Sequence, residues 1–267
     1  MNYIQGVNYI NRYIPRFSLR SLNIWHRNFA AFIKTYKTNF IPPFLEPILF
    51  LIALGYGLGS YIGEVNGVSY AAFIAPALIS ISIMNSASFE CSYGSYVRMH
   101  YQKLYDAMIS TPVSIEDVIA GELLWGATKS LMNTIIILIV VAAFGLVSSA
   151  IAILILPLAF LGGLLFASLS MCFTAIVPNI DSFNYYFFLL MTPMFLFCGT
   201  FFPISALPQA IQMLAYFLPL THVVIIARGL IFGNINSELL RSIIWVSIGC
   251  ALLFTISINL MKRRLIV

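Results

Sequence analysis

Long apolar runs alternate along this chain with short polar breaks, and the runs are too long for the one-sided faces of a soluble fold. A helix needs about 20 residues to cross a hydrocarbon core of about 30 Å, and in lipid a helix satisfies its backbone hydrogen bonds internally. Residues 40–61, 70–90, 122–146, 150–177, 183–202 and 239–261 each reach that length. They predict an all-α membrane protein with six transmembrane helices and no room for a separate soluble domain. Ahead of them, helical two-faced periodicity runs from Arg16 to Phe40. Leu22, Trp25, Phe29, Phe32, Ile33, Tyr36 and Phe40 fall opposite Arg16, Arg20, Asn23, Arg27, Lys34 and Lys37. That is an amphipathic interfacial helix whose apolar face enters the headgroup boundary while its cations meet anionic lipid. It reads as a membrane anchor, a docking surface for a cytosolic partner, or both. Residues 1–39 form the leader and 40–267 the membrane domain. No short apolar core with a small-residue cleavage site precedes the first span, so the N-terminus is expected to stay on the mature protein.

Composition agrees with the pattern: of 267 residues, 61% are hydrophobic and 9% charged, where a soluble domain carries about a quarter charged. The mean hydropathy is +0.95. The formal charge of +5 is explained by where the cations sit. Arg12, Arg16, Arg20, Arg27, Lys34 and Lys37 precede the first span, Arg98 and Lys103 follow the second, and Lys262, Arg263 and Arg264 follow the last. The first and third connections carry no Lys or Arg. The positive-inside rule then puts both termini, the 91–121 connection and the 178–182 connection in the cytoplasm. Cys91, Cys172, Cys198 and Cys250 stand singly, without metal or redox spacing, and read as small core residues.

Within that connection, Met99 to Glu122 is too polar to cross and reads as two short helices. The first, near His100 to Ser110, ends before Pro112, and Ser114 with Asp117 resembles a capping box for the helix entering the third span. A rigid helix-turn-helix on the inner face suits contact with a protein partner better than a mere connector. At membrane depth, Glu46, Glu90 and Lys129 are costly unless paired or hydrated. Lys129, sharing a face with Glu122, either snorkels to the inner interface or belongs to a gate or substrate path. Ser82, Asn85, Ser86 and Phe89 make one face of the second span, a polar path lining or interhelical glue. Tyr56, Tyr185 and Phe195 are further candidates to line such a path. Gly55, Gly57, Gly59, Gly162 and Gly163 read as packing or flexibility positions. No nucleotide-binding, HExxH or GxSxG motif is present, His26, His100 and His222 are far apart, and no metal site is expected.

The run from Pro203 to Gly233 is apolar yet divided by Pro203, Pro208 and Pro219. Its pieces, Leu207 to Phe217 and Thr221 to Phe232, are each too short to cross. They predict an outer re-entrant helical hairpin over about 203–237, with Thr221 capping its second helix. Pro219, His222 and Arg228 are its distinctive residues.

The run GTFFPISALPQAIQMLAYFLPLTHVVIIARGLIFG, Gly199 to Gly233, with Pro219-Leu220-x-His222 and then Arg228, resembles the motif of ABC-2 type transporter permeases. KLYDAMISTPVS in the connection after the second span, the interfacial helix and the six spans extend the resemblance over nearly the whole chain. Within the family it is similar to the nodulation-factor and drug export permeases. The resemblance implies a permease that is not itself an enzyme and holds no cofactor. A second copy of the chain and two cytosolic ATPase subunits, which bind ATP and Mg, are its implied partners, along with membrane lipid and an amphiphilic substrate; nucleic acid is not. It implies a bacterial inner-membrane location and export of a lipo-oligosaccharide, glycolipid or drug. Hydrophobic drug or polysaccharide export is the alternative within the family. The helix with His100, Tyr101, Lys103, Leu104, Tyr105, Asp106 and Met108 would be the coupling helix, with Arg20, Trp25, Arg27 and Lys34 on the interfacial helix nearby. Outside the family, an ion-coupled secondary transporter would need midplane ion sites and repeats, and a membrane enzyme a constellation of acid, base and nucleophile.

Overall fold

A computed structural model of the chain describes residues 18–265, together with the backbone but not the side chains of 36–40 and 42. The sequence readings at Arg12, Arg16, Tyr36, Lys37 and Phe40 therefore lie outside the described side chains. In order, the helices are α1 (Ser21–Lys34), α2 (Pro43–Ile62), α3 (Tyr70–Tyr101), α4 (Leu104–Ile109) and α5 (Ile115–Ala143). There follow α6 (Ala150–Ile176), α7 (183–197), α8 (Gln209–Phe217), α9 (Pro219–Phe232) and α10 (Ser237–Leu265). Among the described residues, α2, α3, α5, α6 and α10 are long and apolar enough to cross a membrane, and the bent pair α8–α9 makes a sixth if taken as one span. Between α2 and α3, strands β1 (Glu64–Val65) and β2 (Val68–Ser69) pair antiparallel, Glu64 opposite Ser69. Their turn is Asn66-Gly67, both at positive φ as a tight hairpin turn requires.

Helix α3 is central. Of its apolar window 72% is buried, against 17% for α2 and 22% for α10, which leaves those two on the periphery. Small residues let α3, α5 and α6 pack closely, the device that replaces the hydrophobic effect between helices in lipid. A Cβ on Gly163 would lie 2.8 Å from that of Ser130, and one on Gly121 would lie 2.6 Å from that of Ile24, so α1 sits directly on α5. A Cβ on Gly55 would lie 3.1 Å from that of Ala71, so of the glycines read as packing or flexibility positions, Gly55 and Gly163 are packing ones. All four cysteines are buried and free.

Three boundaries differ from expectation for physical reasons. The second span continues to Tyr101 rather than stopping near residue 90, because Glu90 and Arg98 find charged partners on α5 inside the bundle. His100 and Tyr101 consequently end α3, and the short helix begins only at Leu104, after Lys103 turns the chain through the left-handed region at φ 53°. The expected fifth crossing, 183–202, is helical only to Phe197; Gly199 at φ 75° and Pro203 break it. Its 15 residues reach about 22 Å.

The Ser114–Asp117 capping box is present in both directions, Ser114 Oγ accepting from the Asp117 amide at 3.0 Å. In the outer segment both short helices form, bent by 84° at Leu218. Thr221 does not cap the second: its hydroxyl donates to the Ala215 carbonyl at 2.5 Å. Extended Leu218 precedes Pro219 at the first helical position, where the missing N–H is no loss.

Candidate functional site

Two polar regions stand at opposite ends of the bundle. At one, here the charged end, Glu122 is wholly buried and accepts five hydrogen bonds. Its Oε1 takes Arg27 Nη2 at 3.1 Å and Asn28 Nδ2 at 3.1 Å. Its Oε2 takes Arg98 Nε at 3.0 Å, Arg98 Nη2 at 2.6 Å and Ser95 Oγ at 3.2 Å. Arg98 also reaches Glu90 Oε1 at 2.8 Å, and Lys129 holds Glu90 Oε2 at 2.7 Å. Three cations thus surround two carboxylates. A buried ion survives only when paired and hydrogen-bonded on its remaining lone pairs, and both conditions hold here. Lys129, read from sequence as snorkelling or path-lining, is an ion-pair partner.

This cluster fastens four elements. Arg27 belongs to α1, Glu90 and Arg98 to α3, and Glu122 and Lys129 to α5. On α4, Met108 Sδ accepts from Arg27 Nη1 at 3.0 Å. Tyr105, also on α4, is fully buried with its hydroxyl unpartnered among the described residues. Burial, with the Glu122 charge nearby, pushes its phenol well above the ordinary range, so it stays neutral. Lys103 and Asp106 face outward, Leu104 and Met108 are half-buried, and His100 and Tyr101 are exposed on the end of α3.

Helix α1 is docked more deeply than a free interfacial helix. Ser21, Ile24 and Asn28 are buried against α5, and Trp25 Nε1 donates to Thr128 Oγ1 at 2.9 Å. Phe29 and Phe32 meet Trp125 edge-on at 6.3 and 5.6 Å. Arg27 and Arg20, assigned from sequence to anionic lipid, instead serve Glu122 and the Pro112 carbonyl. Lys34 stays exposed, as do Leu22 and Ile33 on the apolar side. A cavity of about 620 Å³ opens between α1, α3 and α5, walled by Arg27, Phe32, Glu90, Gln102, Trp125 and Lys129.

The candidate path residues divide. Asn85, Phe89 and Phe195 share a cavity of about 230 Å³ with Phe187 and Thr192. Ser82 lies in the adjoining cleft beside Glu46 and Phe195. Ser86 accepts from Asn133 Nδ2 at 2.6 Å and so acts as interhelical glue. Tyr56 lies beside Phe144, ring centroids 6.0 Å apart, and Tyr185 faces outward.

At the far end, His222 joins α8, α9 and α10. Its Nδ1 lies 3.1 Å from Ser242 Oγ, its Nε2 2.9 Å from the Tyr216 carbonyl, and its ring stacks on Trp245 at 4.5 Å. Arg228 lies over the Phe73 ring at 4.2 Å, and its Nη2 donates to the Gly199 carbonyl at 2.9 Å. Pro219, His222 and Arg228 therefore do not converge on one centre. No cluster of His, Cys, Asp or Glu with metal-holding geometry exists among the described residues.

A nearly all-helical bundle with five or six helices long and apolar enough to cross a membrane, and an amphipathic helix docked on it, is the architecture of a multi-pass membrane protein. The chain belongs to the ABC-2 type transporter family, whose profile matches residues 22–232. It is 36% identical over 252 residues to Nodulation protein J of Rhizobium leguminosarum bv. viciae, covering 94% of this chain and 97% of that one. Nodulation protein J of Bradyrhizobium diazoefficiens is 35% identical over 243 residues, 91% of this chain and 93% of the relative. The inner membrane transport permease YadH of Escherichia coli K12 is 23% identical over 214 residues, 76% and 78% of the two chains.

Proposed function

We propose that this chain is the membrane half of an ATP-driven exporter that carries an amphiphile, a lipo-oligosaccharide or other glycolipid, across the inner membrane. Two copies assemble, with two cytosolic ATPase subunits that bind ATP and Mg. Both termini and the charged end face the cytoplasm, in keeping with the distribution of Lys and Arg. ATP chemistry takes place on the partner, and this chain converts its movement into opening of a path.

The observation that carries the reading is the Glu122 cluster. Exposed Lys103, just before α4, and Asp106 on it face outward, while buried Tyr105 and half-buried Met108 hold α4 to the elements that Glu122 joins. A push on α4 is therefore delivered to α3, α5 and α1 together, because a packed, ion-paired joint shifts as a body rather than deforming. The path-facing side is served by α2 and α7. Leu49, Ile52 and Tyr56 on α2 and Tyr185, Phe188 and Leu189 on α7 are all more than half exposed, apolar surface that suits a second copy and the acyl part of a cargo.

Charge reversal at both Lys103 and Asp106 tests the coupling. The double variant should fold, yet lose co-purification with the ATPase or hydrolyse ATP without export. Unchanged assembly and export would remove α4 from the coupling role. Mass spectrometry of cells lacking the chain tests the cargo, since a glycolipid should accumulate inside them. Accumulation of only unglycosylated hydrophobic compounds would instead favour drug export.

A further inference from the structure

A cavity of about 520 Å³ lies at the far end among the β1–β2 turn, the chain leaving α7, and helices α8 to α10. Small-molecule sites span about 300–1,000 Å³. Arg228 forms one wall and makes no ion pair among the described residues. Its Nε is buried with no partner among them. Glu238, Asn66, Asn234, Asn236, Ser205 and Tyr216 line the same cavity, and Val68, Phe73, Ile204, Ile225 and Phe232 make its apolar part.

The unused hydrogen-bonding capacity of this wall decides what fits it. Donors come from Arg228 and the amides of Asn66, Asn234 and Asn236, and acceptors from Glu238 and the amides of Asn66 and Asn234, since Asn236 Oδ1 already takes the Leu239 N–H. A small anion would use donors only and would meet the Glu238 carboxylate. An apolar guest would strip water from every one of these groups and return nothing. A hydroxyl both donates and accepts, so a neutral polyhydroxylated ring satisfies both sets. Tyr216 adds a half-exposed aromatic surface for the C–H face of such a ring.

We propose that this cavity is a binding site for a neutral saccharide, the polar head of the exported amphiphile. The inference rests on the glycolipid-export reading and deepens it by placing the sugar at the end of the route. Arg228 and Glu238 supply the site's charged contacts, and Asn66 and Asn234 its neutral ones.

The test uses the full chain in lipid nanodiscs, with methyl β-maltoside as the neutral probe and inorganic phosphate as the anionic one. Saturation-transfer NMR should show contact with the maltoside, and phosphate should neither bind nor compete. Glu238→Ala and Asn234→Ala change exposed residues and should fold normally, each weakening maltoside binding about tenfold, the effect of roughly one lost hydrogen bond to a charged or polar group. Arg228→Gln should weaken it further. No maltoside contact in the unaltered chain, displacement by phosphate, or unchanged binding in the exposed variants would each overturn the site. Uptake of a fluorescent glycolipid into inverted vesicles containing the whole transporter separates the two readings. ATP-dependent uptake without maltoside contact removes the site alone, whereas maltoside contact without uptake removes the export reading and leaves the site standing.

Discussion

The two ends of this bundle treat buried charge in opposite ways. At the charged end, Glu90 and Glu122 are enclosed by Arg27, Arg98 and Lys129, and both carboxylates meet cations on each of their oxygens or on a full set of donors. At the far end, Arg228 has carbonyls and an aromatic ring but no carboxylate within ion-pair distance among the described residues. The first arrangement is closed on itself and suits a joint that transmits force. The second leaves donors over, and suits a surface that receives something.

The comparison breaks most visibly at the carboxylate on which the charged end depends. Glu122→Leu leaves Arg98 and Asn28 without their main acceptor, and removing one partner of a buried ion pair costs about 3–5 kcal/mol. Arg228→Leu loses hydrogen bonds to two carbonyls and a ring contact, about 1.5–3 kcal/mol. Thermal unfolding of the two purified variants should rank them in that order. An Arg228 variant as damaged as the Glu122 one would mean that the far end is also a structural keystone.

A second contrast concerns packing. Gly121→Ala would put a Cβ 2.6 Å from both Ile24 Cβ and the Ser21 carbonyl oxygen, so α1 must lift off α5. Overpacking of this kind costs about 1–3 kcal/mol. Tryptophan emission should shift red as Trp25 leaves Thr128. An unshifted spectrum with normal stability would show that the α1–α5 contact yields to the added methyl without separating. Gly67, in the far-end turn, would meet no atom within 4 Å, so only its positive φ resists substitution there.

What the sequence made legible was local. Hydropathy marked the long helices, Pro219 marked the bend, and the three-residue spacing of Ser114 and Asp117 marked the cap, because each signal lies within a few residues. The Glu122 cluster was only half visible. Glu122 and Lys129 could be put on one face of α5, but their partners sit on α1 and α3, and which turn of one helix meets which turn of another is set by packing at Gly121, Gly126 and Gly163 rather than by any spacing along the chain. The same gap hid the length of α3: Glu90 read as the costly last residue of the second span and Arg98 as part of a polar connection, until their counter-charges on α5 are in place. At the far end, Arg228 was singled out by its motif, whereas the cavity around it gathers residues from 66 to 238 and has no sequence signature.

The smallest expected effect sharpens the contrast furthest, because it separates strain from charge. Each end has one non-glycine residue in the left-handed region: Lys103 at φ 53° between α3 and α4, and Asn66 at φ 54° in the β-turn. Asparagine tolerates that region, while a lysine there costs about 1–2 kcal/mol. Glycine would remove the penalty at either site but adds unfolded-state freedom of about 0.5–1 kcal/mol. Lys103→Gly should therefore stabilise the chain by about 0.5–1 kcal/mol, and Asn66→Gly should leave it nearly unchanged, both read from denaturation midpoints. If α4 transmits motion through a stiff joint, the Lys103 variant should also export less per ATP hydrolysed despite its greater stability, since a glycine there lets α4 turn without carrying α3 along. Equal export per ATP in the two variants would put the rigidity of the charged end in the Glu122 contacts and not in the backbone at Lys103.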